Sequence, residues 1–359
     1  MDFNPIFKTL VEQQASDLYV KSGTRPSMRF RGRVTPIGDH ELTRSDVLQL
    51  ADELMTQDLQ QQLHTNRELN FAFVREGIGR FRANILWQQG NLSMVIRRVQ
   101  HRIPSLEDLG LPADVLRRFT TERQGLILIT GPTASGKSTT ISSILEHINA
   151  TAHCHIVTLE DPIEYIFEEK QAVINQREVG TDTKSFSEGL KNVLRQSPDV
   201  MYLSDLRDLE TIEAALLAAE AGQLVLSCIH TTNVMTTVER MIAFFPPQQH
   251  DLTRFRLSLV LKGIMSLRLL PRKDGKGQVP VCEVLVMTPT IRQLIQEHRL
   301  EEIPPLMEND SLHGMQTQTQ SLHRLVSSGQ VALEEALKVA DKPGELELRV
   351  REFRQTRDA

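Results

Sequence analysis

The stretch "GLILITGPTASGKSTT", residues 125–140, sets a short apolar run directly before a Gly-rich turn and a helix-forming segment. Gly131, Gly136, Lys137 and Ser138 stand in the GxxxxGK[ST] spacing, and each residue type has a physical role. Glycines let backbone amides curl around phosphate oxygens, and the helix N-terminus adds a partial positive charge. Lys137 reaches the β and γ phosphates, and Ser138 ligates Mg²⁺. Pro132, Thr133, Ala134 and Ser135 complete the loop, and Thr139 enters the helix. The expectation is a strand, phosphate loop and helix that bind a nucleoside triphosphate with Mg²⁺.

Outward from that loop, "HIVTLE", "DVMYLS" and "LVLSCIH" are further apolar strands separated by helical stretches. Such alternation predicts a parallel sheet covered by helices, an α/β core. The first hundred residues differ. "NPIFKTLVEQQA" has helical spacing, whereas "DLYVKSG", "RFRANILWQ" and "LSMVIRRV" read as strands, so a small α+β domain is expected at 1–98. Two prolines and a Gly in "QHRIPSLEDLGLP" place a linker at 99–106. The core is then 107–288, and 289–359 is expected to be helical, ending in a charged tail.

Composition narrows the function. At 359 residues with 40% hydrophobic content, the chain can bury a sizeable core. A formal charge of -5 offers nucleic acid no global attraction, and no basic stripe with interleaved aromatics stands outside the phosphate loop, so no nucleic acid partner is expected. Cys154, Cys228 and Cys282 form no CxxC pair, which fits a reducing cytoplasm. Even "LSLVLKGIMSLRLL" is broken by Lys262, Ser266 and Arg268, too polar to span a membrane.

Three further blocks fall at ends of the expected strands, where open α/β sheets bind ligands. "TLEDPIEY" puts Glu160, Asp161 and Glu164 in one short acidic loop, suited to holding Mg²⁺ or orienting water. "PDVMYLSDLRD" brings Asp205 to a strand end, and "SCIHTT" ends another strand on His230. Taken alone, an acidic loop is most often a solvated turn and a lone His more often a structural one; together the blocks form a pattern.

Together with "NQREVGTDTKSF", "ASDLYVKSG" and "GMQTQTQSL", these blocks resemble the type IV pilus retraction (twitching-motility) ATPases, the PilT/PilU family of the secretion ATPase superfamily. "IRRVQHRIPSLEDLGLP" and "LKGIMSLRLLPRKDGKGQ" look closer to the accessory than to the principal retraction ATPase of that family. The resemblance covers most of the chain. It implies a PAS-like N-terminal domain, a RecA-like core with ATP bound between them, and a homohexameric ring. The ring would be cytoplasmic and peripherally associated with the inner membrane through a platform protein, with a paralogous retraction ATPase as a further partner. It also implies roles: Lys137 and Ser138 as the phosphate-loop pair, Glu164 activating water, and His230 near the nucleotide. Arg80, Arg82 and Arg97 would complete the site, since a guanidinium fork neutralises charge on a transferring phosphoryl group.

The chain departs from the family at several places. Ser204-Asp205 replaces the usual Gly-Glu, and Gln223 in "AEAGQLVLS" replaces a His; both are expected beside the chemistry. Asp keeps the charge but withdraws the carboxylate by about 1.5 Å. Ala134 replaces a Gly, tolerable if its φ is negative. "PTIRQLIQE", residues 289–297, resembles the family's AIRNLIRE segment, with Ile291, Leu294 and Ile295 at helical spacing and Arg292 expected outward. Three readings result: an ATP-hydrolysing retraction motor, a nucleotide-binding accessory ring subunit with weak hydrolysis that acts with an active paralogue, or a related secretion or pilus-extension ATPase. A four-cysteine zinc module and an extra N-terminal domain, common in the last group, do not occur in this sequence.

Overall fold

A computed structural model describes residues 1–30, 33–99, 102–310 and 312–358. It divides into two compact units, Met1–Arg102 with Ile163–Ile166, and Ile103–Pro162 with Phe167–Ala359. The division falls within the expected linker, of which Gln100 and His101 lie outside the described residues.

The first unit starts with α1 (Asn4–Glu12), β1 (Asp17–Lys21), β2 (Ser27–Phe30) and β3 (Arg33–Pro36). Helices α2 (Arg44–Leu54) and α3 (Gln57–Asn66) follow, then β4 (Glu68–Arg75), β5 (Gly79–Gln88) and β6 (Asn91–Arg98). The strands form one antiparallel sheet in the order β3-β2-β1-β6-β5-β4. Side chains alternate along each strand. Leu18, Val20, Phe81, Ala83, Met94 and Ile96 therefore share one face, and they pack with Phe7, Leu10, Val47 and Leu50 from the helices in a single core. Phe7 meets Phe81 edge-on, ring centroids 4.9 Å apart. Asp17, Tyr19, Arg82 and Arg97 fall on the alternate positions and hence on the other face.

The second unit runs α4 (Ala113–Thr121), β7 (Gly125–Thr130), α5 (Lys137–Thr151), β8 (His155–Glu160), β9 (Val173–Glu178) and α6 (Phe186–Val193). It continues with β10 (Val200–Leu203), α7 (Leu209–Glu220), β11 (Leu224–Ile229), α8 (Val234–Ala243), α9 (His250–Val260), β12 (Leu261–Pro271) and β13 (Gln278–Val286). The sheet order is β13-β12-β7-β11-β10-β8-β9, parallel throughout except for the edge strand β13. Every residue of β7, β10 and β11 is buried, as expected for parallel strands covered on both faces. The β12–β13 hairpin, paired from Gly263↔Val286 to Pro271↔Gln278, extends the sheet beyond what the apolar runs suggested.

Helices α10 (Pro289–Gln296), α11 (Ile303–Glu308), α12 (Gln318–Ser327), α13 (Leu333–Leu337) and α14 (Pro343–Asp358) complete the chain. The expected charged tail is instead the helix α14. Its Leu346 and Val350, one turn apart, are buried with Leu322 and Leu325 of α12 and with Leu270, Val279 and Val281 of the hairpin. Two apolar residues at i, i+4 spacing seat a helix whose other positions are mostly charged. Among the described residues no helix is long and apolar enough to cross a membrane.

One buried acid ties the hairpin to α8. Glu283 on β13 accepts a hydrogen bond from the Val234 amide at 2.8 Å. Burial nonetheless pushes its carboxyl up to about 7, with the Asp341 carboxylate adding to the rise and the Val234 N–H opposing it. Because the folded value lies above the unfolded one, the stability this group contributes is present below about pH 4.5 and is lost as pH rises towards 7. The difference is on the order of 3 kcal/mol. Glu283→Gln, which can still accept from Val234, should therefore melt higher than the parent at pH 8, with the two melting curves converging towards pH 5. Equal melting temperatures at pH 8 would remove this assignment.

Candidate active site

The loop between β7 and α5 is built for close backbone approach. At Gly131, φ +142°, any Cβ would lie 2.3 Å from the Leu267 carbonyl and 2.5 Å from Ser135 Oγ, so only glycine fits. Gly136, φ +95°, supplies the turn into α5 and caps that helix without a side chain. A helix N-terminus of this kind, with no side chain capping it at Gly136, favours an anion through its partial positive charge. Ser135 Oγ is buried with no hydrogen-bond partner among the described residues, a polar group that calls for one. Ala134 does not meet the expectation of a negative φ. It sits at φ +62°, a left-handed conformation that costs an L-residue roughly 1–2 kcal/mol.

Lys137 is buried, its ammonium donating to the Gly131 and Pro132 carbonyls at 2.9 Å each. It also approaches His230 Nδ1 at 3.5 Å. An ammonium has donors only, so in this contact Lys137 faces the ring nitrogen as a cation. His230 Nε2 faces the Asp205 carboxylate at 3.8 Å. The same Asp205 oxygen, Oδ2, is met by Arg207 Nε at 3.3 Å, and that guanidinium also reaches Asp161 at 3.0 Å. Strand order explains this line of charges. Lys137 follows β7, His230 follows β11, Asp205 follows β10 and Asp161 follows β8, and those strands are successive neighbours. Ser204 joins the ends of β8 and β10, its hydroxyl accepting from the Asp161 amide at 3.2 Å.

Arg207 belongs to no motif that marks it in the sequence, although it stands two residues beyond Asp205 in the stretch quoted for that acid. Glu160 is buried, its carboxylate accepting from Thr158 Oγ at 2.6 Å and Gln176 Nε2 at 3.3 Å. Among the described residues no group of three or more His, Cys, Asp or Glu is placed to hold a metal ion, so any metal here would rely on fewer protein ligands and water. Ser138 and Thr139 begin α5 directly after Lys137.

The structure corrects the expectation for Gln223. It precedes β11, and the register pairs Leu224 with Gly125 and Ile229 with Thr130. Gln223 is therefore at the opposite end of the sheet from His230 and the phosphate loop, about 20 Å away at the usual rise per strand residue. It is not beside this site, and its side-chain oxygen is buried without a partner among the described residues. Glu164 groups with the first unit, as do Arg80, Arg82 and Arg97. Arg82 and Arg97 face each other across β5 and β6.

The profile of a family described as Type II/IV secretion system protein matches residues 1–338. The chain is 39% identical over 355 residues to the type IV pilus ATPase PilU of Pseudomonas aeruginosa, covering 98% of this chain and 92% of that protein. It is 36% identical to the type IV pilus retraction ATPase PilT of the same organism, over 96% of this chain and 99% of that protein. A crystal structure of the pilus retraction motor PilT with bound ADP superposes with a TM-score of 0.91 at 42% identity, covering 97% of this chain and 99% of that one.

Proposed function

The chain belongs to the Type II/IV secretion system protein family, and on that premise we propose that it is an ATP-hydrolysing motor subunit that powers or assists type IV pilus retraction. Its N-terminal α+β unit is PAS-like and its second unit is a RecA-like ATPase core. The observation that carries the reading is the unbroken line Lys137, His230, Asp205, Arg207 and Asp161 along the carboxyl ends of four neighbouring strands. Phosphoryl transfer asks the protein mainly for positioning and charge, and this line supplies both beside a glycine cradle.

In this reading Lys137 and the first amides of α5 bind the β and γ phosphates. Asp205 and Glu164 hold and orient the attacking water, and His230, whose Nε2 faces Asp205, keeps that carboxylate in place. Arg80, Arg82 and Arg97 complete the site, and the working assembly is a homohexamer. Hydroxyl and carboxylate oxygens suit Mg²⁺, which keeps several waters; Ser138 and, through water, Asp205 would hold it, where its charge neutralises the phosphates. Glu160 and Asp161 already have partners in Thr158, Gln176 and Arg207, which leaves them a supporting part. The ring acts in the cytoplasm against an inner-membrane platform protein. The short reach of Asp205 favours one second reading, a subunit of weak hydrolysis that works with an active paralogue.

Force transmission is tested at α10. Ile291, Leu294 and Ile295 are buried and Arg292 is exposed, while Gln296 donates to Ser258 Oγ of α9 at 2.8 Å. Arg292→Ala should leave assembly and ATP turnover within about twofold of the parent, the size of change usual for surface positions, and should impair retraction in cells. Unchanged retraction would reduce α10 to a packing element.

A further inference from the structure

We propose that Asp17 is a positioning residue that aims Arg97 at a phosphate, making the sheet face of the first unit a built anion subsite. One line of register crosses four strands: Arg29 on β2 pairs with Asp17 on β1, Asp17 with Arg97 on β6, and Arg97 with Arg82 on β5. At the usual strand spacing this row is about 14 Å long. It lies on the face opposite the Phe7 core.

Asp17 is a buried acid on this otherwise cationic row. Its Oδ1 binds Arg97 Nε at 2.9 Å, and its Oδ2 binds Arg29 Nε at 3.3 Å and the Ser16 hydroxyl at 2.8 Å. Both carboxylate oxygens are thus engaged. Arg29 is further fixed by donating from Nε to the Tyr19 hydroxyl at 3.0 Å. The Arg97 side chain is nonetheless 70% exposed. Among the described residues Arg97 is gripped at Nε, which leaves its two terminal nitrogens to donate outward as a fork, the geometry that matches phosphate oxygens.

The charge balance points the same way. The row carries three arginines to one carboxylate; Arg29 and Arg97 share Asp17, and Arg82 has no carboxylate partner among the described residues. Like charges directly opposite on neighbouring strands destabilise a sheet; an anion across Arg82 and Arg97 would relieve that. The chemistry selected is a phosphate group. This inference rests on the proposed role of Arg97 at the nucleotide, and adds that Asp17 sets the fork.

The test is a cycle of Asp17→Asn, Arg97→Ala and the double variant, with kcat and KM for ATP, ring assembly and melting temperature measured for each. Asp17→Asn should lower kcat about tenfold through misplacement of the fork, leave KM within about twofold, and cost nothing further in the Arg97→Ala background. Parent kcat in Asp17→Asn, or an equal fall in both backgrounds, would overturn the positioning role while leaving that of Arg97 intact. Parent turnover in Arg97→Ala would overturn the underlying reading itself. Should Asp17→Asn fail to assemble, Arg97→Lys decides: it keeps the charge without the fork and should lose as much kcat as Arg97→Ala, whereas near-parent turnover would contradict the proposal.

Discussion

Lys137→Ala should abolish measurable nucleotide binding, weakening affinity by at least about a hundredfold, or about 2.7 kcal/mol. The ammonium is the cation built into the phosphate loop, buried and held by the Gly131 and Pro132 carbonyls. Charge-assisted hydrogen bonds contribute about 1.5–3 kcal/mol each, and Lys137 can exchange its carbonyl partners for two phosphate groups. Truncation also leaves those carbonyls directed at the incoming anion and removes the ammonium beside His230 Nδ1. The loss should be specific. The variant without ligand should melt within a few degrees of the parent, because Lys137 packs into no hydrophobic cluster, and ADP and ATP should be affected alike. Affinity that survives within a factor of two would mean that the nucleotide binds elsewhere.

The second large effect concerns Asp205. Its carboxylate meets Arg207 at 3.3 Å and His230 at 3.8 Å, so it is anchored despite being shorter than the family's usual Glu. Asp205→Asn removes the charge with little change in shape. It should lower ATP turnover by roughly ten- to a hundredfold, or about 1.4–2.7 kcal/mol of barrier, within what placement of one catalytic group supplies. ATP affinity, measured in parallel, should change much less, which separates lost catalysis from lost Mg²⁺ binding. Asp205→Glu extends the reach and should raise turnover, provided His230 and Arg207 yield to the longer side chain. If Asp205→Asn hydrolyses ATP at the parent rate, Glu164 carries the chemistry without it.

The second unit's main strands and its phosphate site were legible because buried parallel strands are continuous apolar runs and the phosphate loop has fixed spacing. What escaped was set by tertiary context. Only one residue of β9 is buried, and β12 carries Lys262, Ser266 and Arg268 among its apolar residues, so neither has the pattern of a buried strand. α14 hid two buried residues among charges. Gln223 looked close to His230 because seven residues separate them in sequence, yet a strand places them at opposite ends of the sheet. Arg207 and Asp17 were invisible for another reason: their roles depend on which strands become neighbours. Ala134 shows the same limit at a single dihedral, since nothing local in "GPTASGK" reports the sign of φ.

The most direct test of the motor function is Mg²⁺-dependent phosphate release by the purified ring of the parent chain, with ATP binding measured on the same preparation. Turnover above background, lost in both Lys137→Ala and Asp205→Asn, is the expected result. Tight ATP binding with no phosphate released, alone or in the presence of a retraction ATPase paralogue, would contradict it and leave a passive nucleotide holder.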